Sequence, residues 1–126
     1  MTARPIFWRL TAVALFCAFV DATSVKAADW SKTDNALFAG YVALSAYDAA
    51  QTDQGIRSGR YHETNPLLGK HPTTARLVVT KVAFGGLVYG LADSYPANRH
   101  AILLAADVLE LVVVGHNASI GLRVKF

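Results

Sequence analysis

Residues 82–92 read Val82-Ala83-Phe84-Gly85-Gly86-Leu87-Val88-Tyr89-Gly90-Leu91-Ala92, with no charged side chain at any position. A helix made of this stretch has no polar face. A soluble three-helix bundle would have to leave Phe84, Leu87, Val88 or Tyr89 in water, whereas a bilayer accepts them on every side. The stretch therefore predicts a helix in lipid. One feature weighs the other way: each apolar run of the chain is shorter than the roughly 20 residues a spanning helix normally needs.

Working outward, this helix is expected over residues 73–92, with Pro72 in its first turn and Pro96 beyond its end. A preceding helix is expected over 33–52, around Leu37 to Leu44, broken by Gly55, Ser58 and Gly59. A following one is expected over 98–117. No stretch alternates with period two before the last residues, and there is no internal repeat. The fold class is all-α, a small membrane bundle of three helices.

Ahead of the bundle, residues 1–27 have the layout of an export signal: Arg4 and Arg9, then an apolar run from Leu10 to Val20, then Val25-Lys26-Ala27 as small-residue context for cleavage before Ala28. The single domain is then 28–126. Left uncleaved, the run would make a fourth helix. Cys17, the only cysteine, lies in this run after Phe16 rather than after a small residue, which disfavours lipid attachment; the mature chain would have no thiol or disulfide chemistry.

At 53% hydrophobic and 17% charged, with a net charge of +3 and scattered basic residues, the chain is neither a disordered segment nor a nucleic-acid binder. The basic residues do have a direction. Arg57, Arg60, Lys70 and Arg76 flank the first connection and Arg123 and Lys125 the tail, against Arg99 beside Asp93 in the second connection. The positive-inside rule puts the first connection and the C-terminus in the cytoplasm of a bacterial cell, with the protein in the inner membrane. Cleaved and uncleaved leaders give the same orientation. The alternative location is the periplasm.

Three charges fall deep in these helices. Asp48 lies about 16 Å along from Leu37, Glu110 about 15 Å from His100, and Lys81 about 12 Å from Thr73, entering from the other side. Intramembrane charges face inward and pair, so Lys81 is expected on Asp48 or Glu110. Asp107, Glu110, Val114 and Asn117 share one face of the last helix, and Tyr41, Ser45, Asp48 and Thr52 one face of the first. The expected cluster is Asp48, Lys81, Asp107 and Glu110, either a structural clasp or a proton or cation relay. Gly86 and Gly90 form a G-x-x-x-G pair that serves packing within the chain or between copies.

The first connection is expected to be ordered, Asn65-Pro66 starting a short turn that Gly69 ends. Asp48, Gln51 and Thr52, then Glu63, Asn65, Pro66, Leu68, Gly69 and Pro72, then Glu110, His116 and Asn117 give the pattern D-x-x-Q-T, E-x-N-P-x-L-G-x-x-P and a final H-N. In this the chain resembles a group of small, uncharacterised bacterial integral membrane proteins, a resemblance that implies topology and packing rather than an activity. Gln51, Thr52, His116 and Asn117 would be polar groups at the cytoplasmic end.

His62, His71 and His116 near Glu63 lack the spacing of a metal set, and no nucleophile elbow is present; no metal or other cofactor is expected. Ile120, Leu122, Val124 and Phe126 alternate with polar or small residues, but a barrel needs eight strands, so the tail is expected as a short extended or amphipathic segment. The functional expectation is a structural or accessory membrane subunit, in contact with lipid and with a second copy or another membrane protein, with a membrane-embedded enzyme or relay as the alternative.

Overall fold

The computed structural model describes residues 4–6 and 29–125. It is all-α, built from three helices: α1 (Lys32–Arg57), α2 (Thr74–Ser94) and α3 (Arg99–Ser119). Two short strands, β1 (Arg4–Ile6) and β2 (Tyr61–Glu63), pair in parallel with Arg4 opposite Tyr61. Apart from β1, the expected leader and Cys17 lie outside the described residues.

Local chemistry explains the starts of the first two helices. Ser31 and Asp34 form a reciprocal capping box, the Ser31 hydroxyl accepting the Asp34 N–H at 3.0 Å and the Asp34 carboxylate accepting the Ser31 N–H at 3.1 Å. Thr73 caps α2 by accepting the Arg76 N–H at 3.2 Å, so Pro72 sits just before the helix and not in its first turn. Asn98 stands at the start of α3 without a side-chain cap bond.

Helix α1 continues through Gly55, where the sequence suggested a break. Gly55 is buried under Leu122, and a Cβ there would collide with the Leu122 side chain. The glycine marks a close approach, and the left-handed turn falls at Gly59 instead, with φ of 70°. At the end of α3 the N–H of Gly121 reaches the Ala118 carbonyl at 3.1 Å and that of Leu122 the Asn117 carbonyl at 2.9 Å, a complete Schellman turn with Gly121 at φ 95°. The turn throws Leu122 onto Gly55. The tail then runs beside α1, the Lys125 N–H donating to Gln54 Oε1 at 2.9 Å.

The helices pack with their polarity inverted. The buried stripe of α1 is Asp34, Tyr41, Ser45, Asp48, Gln51, Thr52 and Gly55, while its outward positions include Val42, Ala43 and Ala46. Helices α2 and α3 are each long and apolar enough to cross a membrane, and their most apolar stretches are only 17% and 28% buried within the protein. Core helices of soluble proteins are mostly buried; these are not. Val79 and Val82 are 67% and 69% exposed. Among the described residues nothing stands within 4 Å of where a Cβ of Gly86 or Gly90 would be, so none of them packs against the G-x-x-x-G face.

Candidate functional site

Two buried regions occupy opposite ends of the bundle. Near the α2–α3 connection the core consists of Tyr41, Val88, Ala92, Ile102, Leu103 and Ala106, with Trp30, Leu37, Phe38, Leu91 and Tyr95 packed against it. Trp30 stacks on Tyr89 with ring centroids 4.9 Å apart and donates its indole N–H to Asp93 at 3.0 Å. Arg99 is buried here. Its Nε donates to the Ala92 carbonyl at 3.0 Å and its Nη1 to the Asp29 carbonyl at 3.2 Å, and its guanidinium lies 5.0 Å from the centre of the Trp30 ring.

Towards the other end the interior becomes polar. Lys81 Nζ lies 2.7 Å from Asp48 Oδ2 and donates to Glu110 Oε1 and Oε2 at 2.9 and 3.1 Å. One lysine from α2 thus joins an acid from α1 to an acid from α3, where the sequence had suggested one partner or the other. Ser45 donates to Glu110 Oε1 at 3.3 Å, and Asn117 Nδ2 donates to Asp48 Oδ1 at 2.6 Å. Every carboxylate oxygen of Asp48 and Glu110 is therefore occupied. Asp107 does not join them: it faces Gly40, and its Oδ1 has no hydrogen-bond partner among the described residues. Its three-residue offset from Glu110 puts it one turn nearer the aromatic end.

Below the triad, the remaining motif residues close the bundle. Gln51 Nε2 donates to the Leu122 carbonyl at 2.9 Å, so the tail rests on α1 through both Gln51 and Gly55. Thr52 is buried beside it. Glu63, at the end of β2, accepts the N–H groups of Thr64 and Asn65 at 2.8 Å each through Oε1. The Asn65 side chain accepts the Leu67 N–H at 3.0 Å, and its carbonyl accepts those of Leu68 and Gly69, which ties Pro66 into a tight turn. Gly69 has φ of 76°, the left-handed conformation that ends the turn, as its sequence position suggested. His116 is part-buried next to Asn117, whereas His71 is exposed on the connection.

Glu63 is 2% exposed, and burial pushes its carboxyl above the ordinary carboxylate value; the Asn65 and Thr64 N–H groups pull the other way, while Asp48 adds to the rise and Lys81 lowers it. The loop acid is thus within electrostatic reach of the triad. A groove of about 780 Å³ between α1 and α2, walled by Val42, Ala46, Val78 and Val82, has Ser45 and Lys81 among its lining.

Sequence reasoning missed Arg99, which reads as an ordinary loop charge; the nearby Trp30 and Tyr89 were its only signal. In comparison with known proteins, no family model, no curated protein and no solved structure matches the chain.

Proposed function

We propose that the chain is an integral protein of the bacterial inner membrane, a three-helix structural or accessory subunit fastened internally by the Asp48–Lys81–Glu110 clasp. The observation that carries this reading is the inverted polarity: charges and amides inside, Val79, Val82, Leu111 and Val112 outside. In water that arrangement would expose a continuous apolar belt; in lipid the belt is solvated and the interior charges are paired, as intramembrane charges must be.

Orientation is supported by the gathering of basic residues. The first connection and the tail meet at one end of the bundle, where the Tyr61 hydroxyl donates to the Ile120 carbonyl at 2.9 Å. Arg57, Arg60, Lys70, Arg76, Arg123 and Lys125 therefore belong to the same end, which favours its facing the cytoplasm. The likeness of the D-x-x-Q-T and E-x-N-P-x-L-G-x-x-P residues to small bacterial membrane proteins agrees with that picture, since Gln51, Glu63, Asn65 and Asn117 are the groups that close this end. An accessory role is supported by the clasp, in which Lys81 and both its acids are bound to one another.

Membrane fractionation tests the reading. The chain should stay with the membrane through an alkaline carbonate wash, and reporter fusions after Lys70 and Phe126 should give cytoplasmic signals, with a periplasmic signal at Tyr95. Recovery of the mature chain in the soluble periplasmic fraction overturns it.

A further inference from the structure

Residues 7–28 lie outside the described residues, but the chain is held on both sides of them. Before them, β1 pairs with β2, Ile6 opposite Glu63, on the connection that leads from α1 to α2. After them, the Asp29 carbonyl accepts Arg99 Nη1 at 3.2 Å, and Trp30 stacks on Tyr89 and meets Phe38 edge-on. The first attachment belongs to the end of the bundle that holds the first connection, the second to the aromatic end. The 22 residues between them therefore pass from one end of the bundle to the other.

The groove between α1 and α2 runs between the same two ends. At the aromatic end it is lined by Phe38 and Tyr89, the two rings that receive Trp30. At the other end it is lined by Asp53 and Thr74, which share a hydrogen bond of 2.6 Å and are both held by Arg57. Between these limits its walls are low. Ala46, Ala49 and Ala50 of α1 and Gly86 of α2 line it, and no described residue stands within 4 Å of where a Cβ of Gly86 would be. Small residues of this kind let a neighbouring helix backbone come close in lipid.

Length and charge fit one occupant. As a helix, the only single-segment form that satisfies its own backbone in a bilayer, 22 residues rise about 33 Å, against about 32 Å for the 21 residues of α2. Arg4 and Arg9 precede the apolar run Leu10–Val20, and Asp21 and Lys26 follow it. The run is shorter than the roughly 20 apolar residues an isolated span needs, so it gains from a protein surface to lie on. We propose that residues 7–28 are retained and cross the bilayer in the α1–α2 groove, as a fourth helix that covers the groove face of Ser45 and Lys81. Cleavage before Ala28, which the pattern of the leader suggests, would strip this cover. The inference rests on the membrane reading above, but fractionation decides that reading, whereas chain mass and cross-linking decide this one.

The full chain carrying a C-terminal tag, taken from membranes, provides the test. Its mass should include the leader; a chain short of residues 1–27 overturns the proposal. Cys17, the only cysteine, falls midway by count between Ile6 and Asp29, as Ala46 does between Phe38 and Asp53 and Val82 between Thr74 and Tyr89. With copper phenanthroline as oxidant, Ala46→Cys and Val82→Cys should each form a disulfide with Cys17 inside one chain. The reading is loss of maleimide–polyethylene glycol labelling after denaturation, restored by reduction and by Cys17→Ser. Val112→Cys, on α3 outside the groove, should keep its labelling. A reducible band of twice the chain mass from Ala46→Cys or Val82→Cys would mean that a second copy fills the groove. An intact leader with full labelling of both variants would mean that lipid fills it. Either result overturns the proposal and leaves the membrane reading standing, whereas a chain found only in the soluble fraction overturns both. The two variants lie on different helices, so misfolding of one leaves the other to be read, and the mass of the unaltered chain is decisive without either.

Discussion

At the aromatic end Arg99 is buried among neutral groups, the carbonyls of Ala92 and Asp29 and the face of Trp30, with Asp93 no nearer than 4.0 Å. Towards the opposite end Lys81 is buried between two carboxylates that touch it directly. The difference follows the chemistry of the two cations. A guanidinium spreads its charge over a plane with several fixed donors, which suits carbonyls and a ring, whereas an ammonium concentrates its charge at one point and needs an anion there when water is excluded. The arginine can serve as a seal on the end of the bundle. The lysine binds three helices to one another.

Breaking the lysine centre should therefore have the largest effect. Lys81→Met leaves Asp48 and Glu110 buried beside each other with no cation between them, and removal of one partner from a buried pair typically costs about 3–5 kcal/mol. The variant should be depleted from membranes and unfold early in detergent. Because both acids lose the same partner, the compensating change is triple: Lys81→Met with Asp48→Asn and Glu110→Gln should recover abundance. A triple variant no better than Lys81→Met would show that the loss lies in packing around the lysine stem rather than in orphaned charge.

Arg99→Met tests the other side of the comparison. Here the loss is of hydrogen bonds to two carbonyls, with no acid stranded in direct contact, and unsatisfied buried acceptors cost about 1–3 kcal/mol. Thermal unfolding of this variant should therefore fall between wild type and Lys81→Met. A loss as large as that of Lys81→Met would mean that Asp93 is the true partner of Arg99 and that the two ends are alike.

The smallest effect belongs to the turn beneath the lysine centre. Asn65→Ala removes the acceptor of the Leu67 N–H and should cost about 0.5–2 kcal/mol, the range for a lost side-chain cap. Its measure is the unfolding midpoint in detergent at fixed sodium. Asn65 also donates its backbone N–H to Glu63, and that bond survives the substitution, which keeps the loss small.

Particular residues show how much of this was legible beforehand. The three helices are written in apolar runs separated by Gly, Ser and Pro, and the meeting of Asp48, Lys81 and Glu110 follows from counting rise along each helix. Gly55 was misread because a glycine that ends a helix and a glycine that admits a neighbour look the same in one dimension; only Leu122, far along the chain, separates the two cases. Asp107 was grouped with Glu110 because three-residue spacing shares a face, yet one turn of rise moved it against Gly40. Arg99 was counted as a loop charge, since nothing local distinguishes a guanidinium in solvent from one roofed by an indole. Gln51 and Asn117 were recognised only as motif residues, and their role in closing the bundle depends on the path of the tail after Gly121.

The triad also has a chronology. Synthesis runs from the N-terminus, so Asp48 and Lys81 both exist before Glu110, which follows Lys81 by 29 residues. Within the triad the first two helices already carry a matched pair, Asp48 with Lys81, and the second acid arrives only with the last helix. Leu122, whose carbonyl takes up Gln51, comes later still. The part of the molecule that completes the polar end is the part made last, so a chain stopped short of Gly121 would present a paired lysine inside an unfinished wall.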